Sequence, residues 1–251
     1  MSPDPRVHPA AASGFARAAE DYERGRPGFP DDAVAFVIDE LGLRPGLTLL
    51  ELGAGTGKLT RLLAPTGVRI VAVEPVTAMR DTLSRIVPGA EIIDAVAEDL
   101  PFADGSLDAA VAAQAFHWFD GPRALAELGR VLPRGGRLAL VWNVRDESVP
   151  WIRGLTDLIE PYRGQTPSHR SLRWKDAFDD TDPFTVPSRT SFPYVHRTTR
   201  EGTVARVLSI SFIAALPEEE RRTVAEGVRA LAPGDGVDFA YRTDVWTTRR
   251  I

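Results

Sequence analysis

The sequence predicts an α/β fold built on a mostly parallel sheet with helices on both faces. Three observations carry that expectation. An apolar strand, Leu49-Leu50-Glu51-Leu52, runs into the glycine turn Gly53-Ala54-Gly55-Thr56-Gly57 and a helical segment. A second apolar strand, Ile70-Val71-Ala72-Val73, ends on Glu74, 23 residues after Glu51. Short apolar strands then continue to alternate with helical segments of about ten residues, the pattern of strand–helix–strand crossovers. In such a sheet a ligand lies at the carboxyl ends of the strands.

The elements follow in order. A Pro-rich start leads to a short helix over 13–22, which Arg26-Pro27-Gly28-Phe29-Pro30 breaks. An amphipathic helix over 31–42 carries Val34, Val37, Ile38 and Leu41 at helical spacing and stops at Gly42. Strands are expected over 47–52, 68–74, 91–95, 109–115 and 136–144, with helices over 57–64, 77–87 and 121–131 between them. From 145 to about 189 the alternation dissolves into aromatics, arginines and prolines, with one helix over 150–160; this stretch reads as an insertion lying over the sheet. A strand over 191–199, helices over 200–213 and 218–231, and a strand over 237–248 complete the chain.

The glycine turn separates three nucleotide-binding patterns. A dinucleotide fingerprint needs glycine at 58, where the chain has Lys58. A phosphate-binding P-loop needs glycine at 52 and Ser or Thr at 59, where the chain has Leu52 and Leu59. Glu51 beside the turn also favours a cationic ligand over phosphates. An acid, any residue, then G-x-G-x-G, read from Glu51 through Gly57, closely resembles the first motif of the class I S-adenosylmethionine-dependent methyltransferases. A second match, Ser106 through Asp120 with Gln114-Ala115-Phe116-His117-Trp118, looks like the end of the fourth strand in the subgroup of trans-aconitate methyltransferase-like and ubiquinone-biosynthesis-like enzymes. The resemblance implies a Rossmann-like, seven-stranded sheet with an antiparallel last strand. It further implies one methyltransferase domain over 1–251, with N-terminal lid helices (1–42), a cofactor-binding core (43–144), a substrate-side insertion after strand 5 (145–190) and C-terminal strands (191–251).

The same resemblance assigns roles residue by residue. Gly53, Ala54, Gly55 and Gly57 bring backbone close to S-adenosyl-L-methionine, and Glu74, with Pro75 after it, accepts hydrogen bonds from the ribose. Ala97 and Glu98, in Ala95-Val96-Ala97-Glu98-Asp99-Leu100-Pro101-Phe102, flank the adenine; Val96 stands where many members have Asp. Met79 is either a cover for the adenine face or core filler. Gln114 lies at the cofactor rim. Tyr22 and Arg26 belong to a lid segment in which a ring covers the sulfonium and a guanidinium pairs with the methionine carboxylate, or else form a surface hook. His117 is a general base for a hydroxyl acceptor or a ring that shapes the pocket. The expected acceptor is a small molecule or short peptide bearing a carboxylate or hydroxyl, and the arginines of 145–190 suit a carboxylate. Two other readings stay open: a protein of this fold that binds the cofactor without methyl transfer, and a nicotinamide oxidoreductase, which Glu51 and the glycine spacing disfavour.

Composition narrows the partners. A formal net charge of −5 argues against a broad phosphate-neutralising surface, and the nucleobase-amine methyltransferase signature is missing after strand 4, so nucleic acid is not the expected partner. The absence of cysteine excludes disulfides, thiolate metal sites and a thiol nucleophile. No His and acid pairs stand at metal-ligand spacing, and no apolar run approaches the ~20 residues that span a bilayer, so a soluble cytoplasmic protein without a metal is expected.

Overall fold

The computed structural model describes Arg6, Glu23 and residues 25–179 and 183–251. The helix expected over 13–22, and Tyr22 with it, lies outside the described residues. Seven strands form one sheet in the order β3-β2-β1-β4-β5-β7-β6. They are β1 (Thr48–Leu52), β2 (Arg69–Val73), β3 (Glu91–Ile93), β4 (Ala109–Ala113), β5 (Arg137–Arg145), β6 (Ser188–Thr199) and β7 (Gly236–Arg249). The first five run parallel, with Leu52 level with Val73, Glu51 level with Val111 and Ala113 level with Val141. Their carboxyl ends therefore form one rim. The last strand is antiparallel to β5, since backbone bonds join Gly135 and Gly136 to Arg250 and Asp146 to Ala240, a register that falls on one strand as it rises on the other.

Two compact units share the chain. The larger comprises Phe29–Asn143, Pro167–Phe192 and Thr243–Ile251. It holds β1 to β4 and the helices α1 (Asp31–Leu41), α2 (Thr60–Leu63), α3 (Thr77–Ile86) and α4 (Gly121–Val131). Leu49, Leu50, Leu52, Leu138 and Leu140 are wholly buried, as strands covered on both faces must be. Of the stripe expected from spacing on α1, Val34, Val37 and Leu41 are buried in one core cluster and Ile38 packs against it partly buried, with Ala33 joining them. On α4, Asp120 caps the N-terminus by accepting the Arg123 N–H at 3.3 Å, and Pro122 fills a first-turn site that needs no donor.

The smaller unit comprises Met1–Gly28, Val144–Thr166 and Pro193–Arg242. Its helices are α5 (Pro150–Ile159), α7 (Arg200–Leu208), α8 (Ser211–Ala214) and α9 (Glu218–Leu231); α6 (Asp176–Asp179) belongs to the larger unit. Ile152, Leu155 and Ile159 of α5 pack with Val204 and Val207 of α7 and Val224 and Val228 of α9. Close approach is secured where Gly227 faces Leu158, since a Cβ there would stand 2.9 Å from Leu158 Cδ2.

The structure corrects several expected boundaries. The helix expected over 57–64 is shorter and gives way to a 3-10 turn, Ala64–Thr66, because Pro65 has no N–H to continue the α ladder. Strand β3 stops at Ile93, where Arg80 holds Asp94 at 2.8 Å. The single helix expected over 200–213 is two helices, with Ile210 extended between them and Ser209 Oγ donating to the Arg206 carbonyl at 2.8 Å. Residues 145–190 divide between the two units at Thr166 and Pro167.

Candidate active site

The rim of the larger unit begins with the turn after β1. Gly53, Gly55 and Gly57 all have positive φ, at +61°, +59° and +85°. A Cβ at Gly53 would stand 2.6 Å from the Ala115 Cβ, and one at Gly57 would stand 2.5 Å from Leu83 Cδ1, whereas a Cβ at Gly55 would meet nothing within 4 Å. The first and third glycines thus serve packing against the β4 turn and α3. Gly55 alone turns its backbone toward open space, which is the place for a ligand to approach the chain.

Glu74, one residue beyond β2, is 6% exposed and splits its carboxylate between two backbone donors. Oε2 accepts the Gly55 N–H at 2.9 Å and Oε1 accepts the Val76 N–H at 2.9 Å. Burial pushes its carboxyl above the ordinary value, and those two donors and the Arg80 guanidinium offset part of the shift. Each oxygen keeps a second lone pair, so the group is oriented and still able to accept from ribose hydroxyls. Arg80 locks the same corner by donating to the Glu74 carbonyl at 2.9 Å while pairing with Asp94.

Glu51 is buried as deeply, at 1% exposed, and its Oε2 has no hydrogen-bond partner among the described residues. Burial raises its pKa to about 7, with the Thr60 hydroxyl opposing and Glu74 adding to the rise. An acid held partly neutral beside a second acid is a setting that a cation would relieve. The residues present therefore fit a positively charged donor: backbone opens at Gly55, an oriented acid stands at the end of β2, and an unsatisfied carboxyl lies in β1.

The remaining rim residues are placed unevenly. Ala97 is 3% exposed, in a segment pinned by a Val96–Asp99 bridge. Arg130 fixes the following turn by donating to the Leu100 carbonyl at 2.9 Å. Glu98 Oε1 accepts the Asp120 N–H at 2.7 Å, a bond to the α4 cap that its position in the sequence does not announce. Met79, on α3, is 2% exposed. Pro75 follows Glu74 directly in the turn before α3. Arg26 belongs to the smaller unit, where Nε and Nη2 donate to Ser209 Oγ and the Ser209 carbonyl, each at 3.1 Å.

After β4 the chain takes an unusual path. Gln114 has φ +56°, a left-handed conformation that non-glycine residues seldom adopt, and it is secured by N–H donation to the Val141 carbonyl at 2.8 Å. A 3-10 turn, Phe116–Trp118, then presents His117. Trp142 Nε1–H donates to His117 Nδ1 at 3.3 Å. His169 stands with its ring centroid 5.8 Å from that of His117 and stacks at 6.2 Å on Trp142. Trp174 packs 4.6 Å from Trp142, and Phe116 and Phe178 close the other side. Reasoning from sequence missed Trp142 and His169 as partners of His117, because no local pattern joins positions 117, 142 and 169. A polar groove lined by Glu40, Arg137, Thr185 and Thr248 lies by the start of β5, at the amino ends of the parallel strands and away from this rim.

A family profile described as a methyltransferase domain matches residues 50–140. The uncharacterized methyltransferase Rv3342 of Mycobacterium tuberculosis is 36% identical over 240 residues, covering 91% of this chain and 92% of that protein. A methyltransferase-like protein of Schizosaccharomyces pombe is 34% identical over 244 residues, covering 94% and 95%. The chain belongs to the class I S-adenosylmethionine-dependent methyltransferases. The fold agrees: the solved structure of a putative type II methyltransferase from Anaeromyxobacter dehalogenans superimposes with a TM-score of 0.64 at 23% identity, covering 90% of this methyltransferase and 97% of that chain. Its cofactor is S-adenosyl-L-methionine. No described helix of the methyltransferase is long and apolar enough to cross a membrane.

Proposed function

We propose that this methyltransferase esterifies a carboxylate oxygen of a small molecule or short peptide. The observation that carries the reading is the bond from Trp142 to His117. Indole N–H is a donor only, so His117 Nδ1 must be an unprotonated acceptor, and the ring proton sits on Nε2. In that tautomer Nε2 offers a proton and cannot take one. His117 therefore suits an acceptor that needs a hydrogen bond and no deprotonation. A carboxylate, already ionised at neutral pH, is such an acceptor; a hydroxyl is not.

Cofactor contacts in this proposal are those of the rim. Gly53, Ala54, Gly55, Gly57, Glu74 and Pro75 hold the nucleoside, Ala97 and Glu98 border the adenine, Gln114 shapes the rim after β4, and Glu51 faces the cationic end. S-adenosylmethionine supplies an electrophilic methyl group on a sulfonium. The chain supplies orientation, an apolar aromatic wall from Trp142 and Trp174 that limits water, and a donor at His117.

The test uses methyl-labelled cofactor with mixtures of organic acids and of alcohols or phenols, followed by mild alkali. Methyl esters release volatile labelled methanol, and ethers do not. Alkali-labile label from the acid mixture is the expected result. Alkali-stable label, together with a loss of about 100-fold or more in kcat for His117→Ala, would establish a hydroxyl acceptor with His117 as base.

A further inference from the structure

We propose that Arg206 anchors a carboxylate-binding subsite in the smaller unit. Its side chain lies on α7, only 9% exposed, with Nε and Nη1 buried and without a hydrogen-bond partner among the described residues. A guanidinium stays charged at every pH a protein meets, and buried charges are ordinarily paired. A charge kept unpaired at this depth is best understood as waiting for its counter-ion.

The surroundings are constructed around it. Val204 and Val207, its neighbours on α7, are buried in the apolar cluster of the unit. The chain at Gly25 passes so close that a Cβ there would stand 2.8 Å from the Arg206 nitrogen and 2.9 Å from the Ala205 carbonyl carbon. Arg26, the next residue, is tied to Ser209, and Ser209 Oγ is in turn tied to the Arg206 carbonyl. Arg163 lies 5.0 Å over the Phe212 ring just beyond, paired with Glu160. Arg26 and Arg163 are thus held by their own partners, Ser209 and Glu160, and neither supplies a counter-charge to Arg206.

One guanidinium in an apolar setting neutralises one negative charge, which matches a carboxylate; a phosphate would leave a second charge buried. An acidic acceptor brings such a group, and this source rests on the proposed reaction.

The experiment measures the melting temperature and calorimetric affinities of the full chain and of Arg206→Met and Arg206→Lys. The probes are S-adenosylhomocysteine, 5′-methylthioadenosine, citrate and inorganic phosphate. Arg206→Met is expected to melt at or above the wild type, because the unpaired charge is gone, and to lose about 10- to 100-fold in affinity for a carboxylate probe. Loss for citrate with S-adenosylhomocysteine and 5′-methylthioadenosine unchanged assigns the subsite to an acceptor acid, and loss for S-adenosylhomocysteine alone overturns that assignment. Arg206→Lys keeps the charge without the planar fork and falls between, and it decides the matter should the Met variant fail to fold. Unchanged affinity for both carboxylate probes in the variants, or a loss confined to inorganic phosphate, overturns the proposal.

Discussion

The rim after β1 and β2 and the rim after β4 and β5 are built by different means. In the first, polar contacts run from side chain to backbone: Glu74 holds the Gly55 and Val76 amides, and two glycines are set by clashes that any Cβ would make. In the second, contacts run between rings: Trp142 to His117, His169 over Trp142, Trp174 beside Trp142. Backbone contacts tolerate one geometry. Ring contacts can shift by tenths of an ångström and survive, which in the proposed reaction would suit the half of the site given to the acceptor.

The sharpest way to break this contrast is the glycine turn. Gly57→Ala combines a left-handed φ with a Cβ 2.5 Å from Leu83, and is expected to cost roughly 2–5 kcal/mol of stability. Gly55→Ala has the same kind of φ in open space and should cost only about 1–2 kcal/mol while weakening cofactor binding. Chemical denaturation of both variants, with calorimetry of S-adenosylhomocysteine, makes the comparison. Equal losses of stability at the two positions would mean that strain in φ, and not packing, governs the turn.

Next in size is a pH effect separating the two buried acids. The folded pKa of Glu51, about 7, lies above its ordinary 4.5, so the folded chain binds the proton more tightly than the unfolded one. Stability must therefore fall as pH rises from about 4.5 and level off above about 7, by about 3 kcal/mol in total if the whole shift is realised. Glu74, also raised, adds a slope of the same sign. Thermal melts from pH 5 to 8 should show Glu51→Gln matching the wild type at the acid end and exceeding it at the alkaline end. Parallel curves would show that Glu51 is not the titrating group. For Glu74→Gln the expected result is different in kind: one backbone donor loses its acceptor, and affinity for S-adenosylhomocysteine falls about 10- to 100-fold at every pH.

These differences bear on what could be read from the letters. Leu49 through Gly57 and the acid at 74 are contiguous patterns whose meaning is local, so the strand, the turn and the second strand were legible, as were α4 and α9 with their bounds. Glu98 bonds to a cap 22 residues away, and His169 meets Trp142 only through tertiary packing, so neither had a signal. The break at Ser209 was hidden because Ser and Ile are tolerated inside helices; a side-chain bond to the Arg206 carbonyl and an extended Ile210 interrupt the helix there. That Glu51 Oε2 lacks a partner among the described residues is likewise a property of its surroundings, which a residue letter does not carry.

The smallest effect tests the ring half of the rim most directly. Trp142→Phe keeps an aromatic ring in the stack and deletes the indole N–H that donates to His117 Nδ1. Loss of a single neutral hydrogen bond is worth about 0.5–1.5 kcal/mol, so kcat should fall only about 2- to 10-fold, with KM for the cofactor unchanged. The decisive readout is the tautomer: nitrogen NMR of the wild type should show His117 with its proton on Nε2, and the variant should show a mixture. If the variant turns over faster while its proton moves to Nδ1, then an unprotonated Nε2 is what the reaction needs. His117 would be a base after all, and the acceptor a hydroxyl.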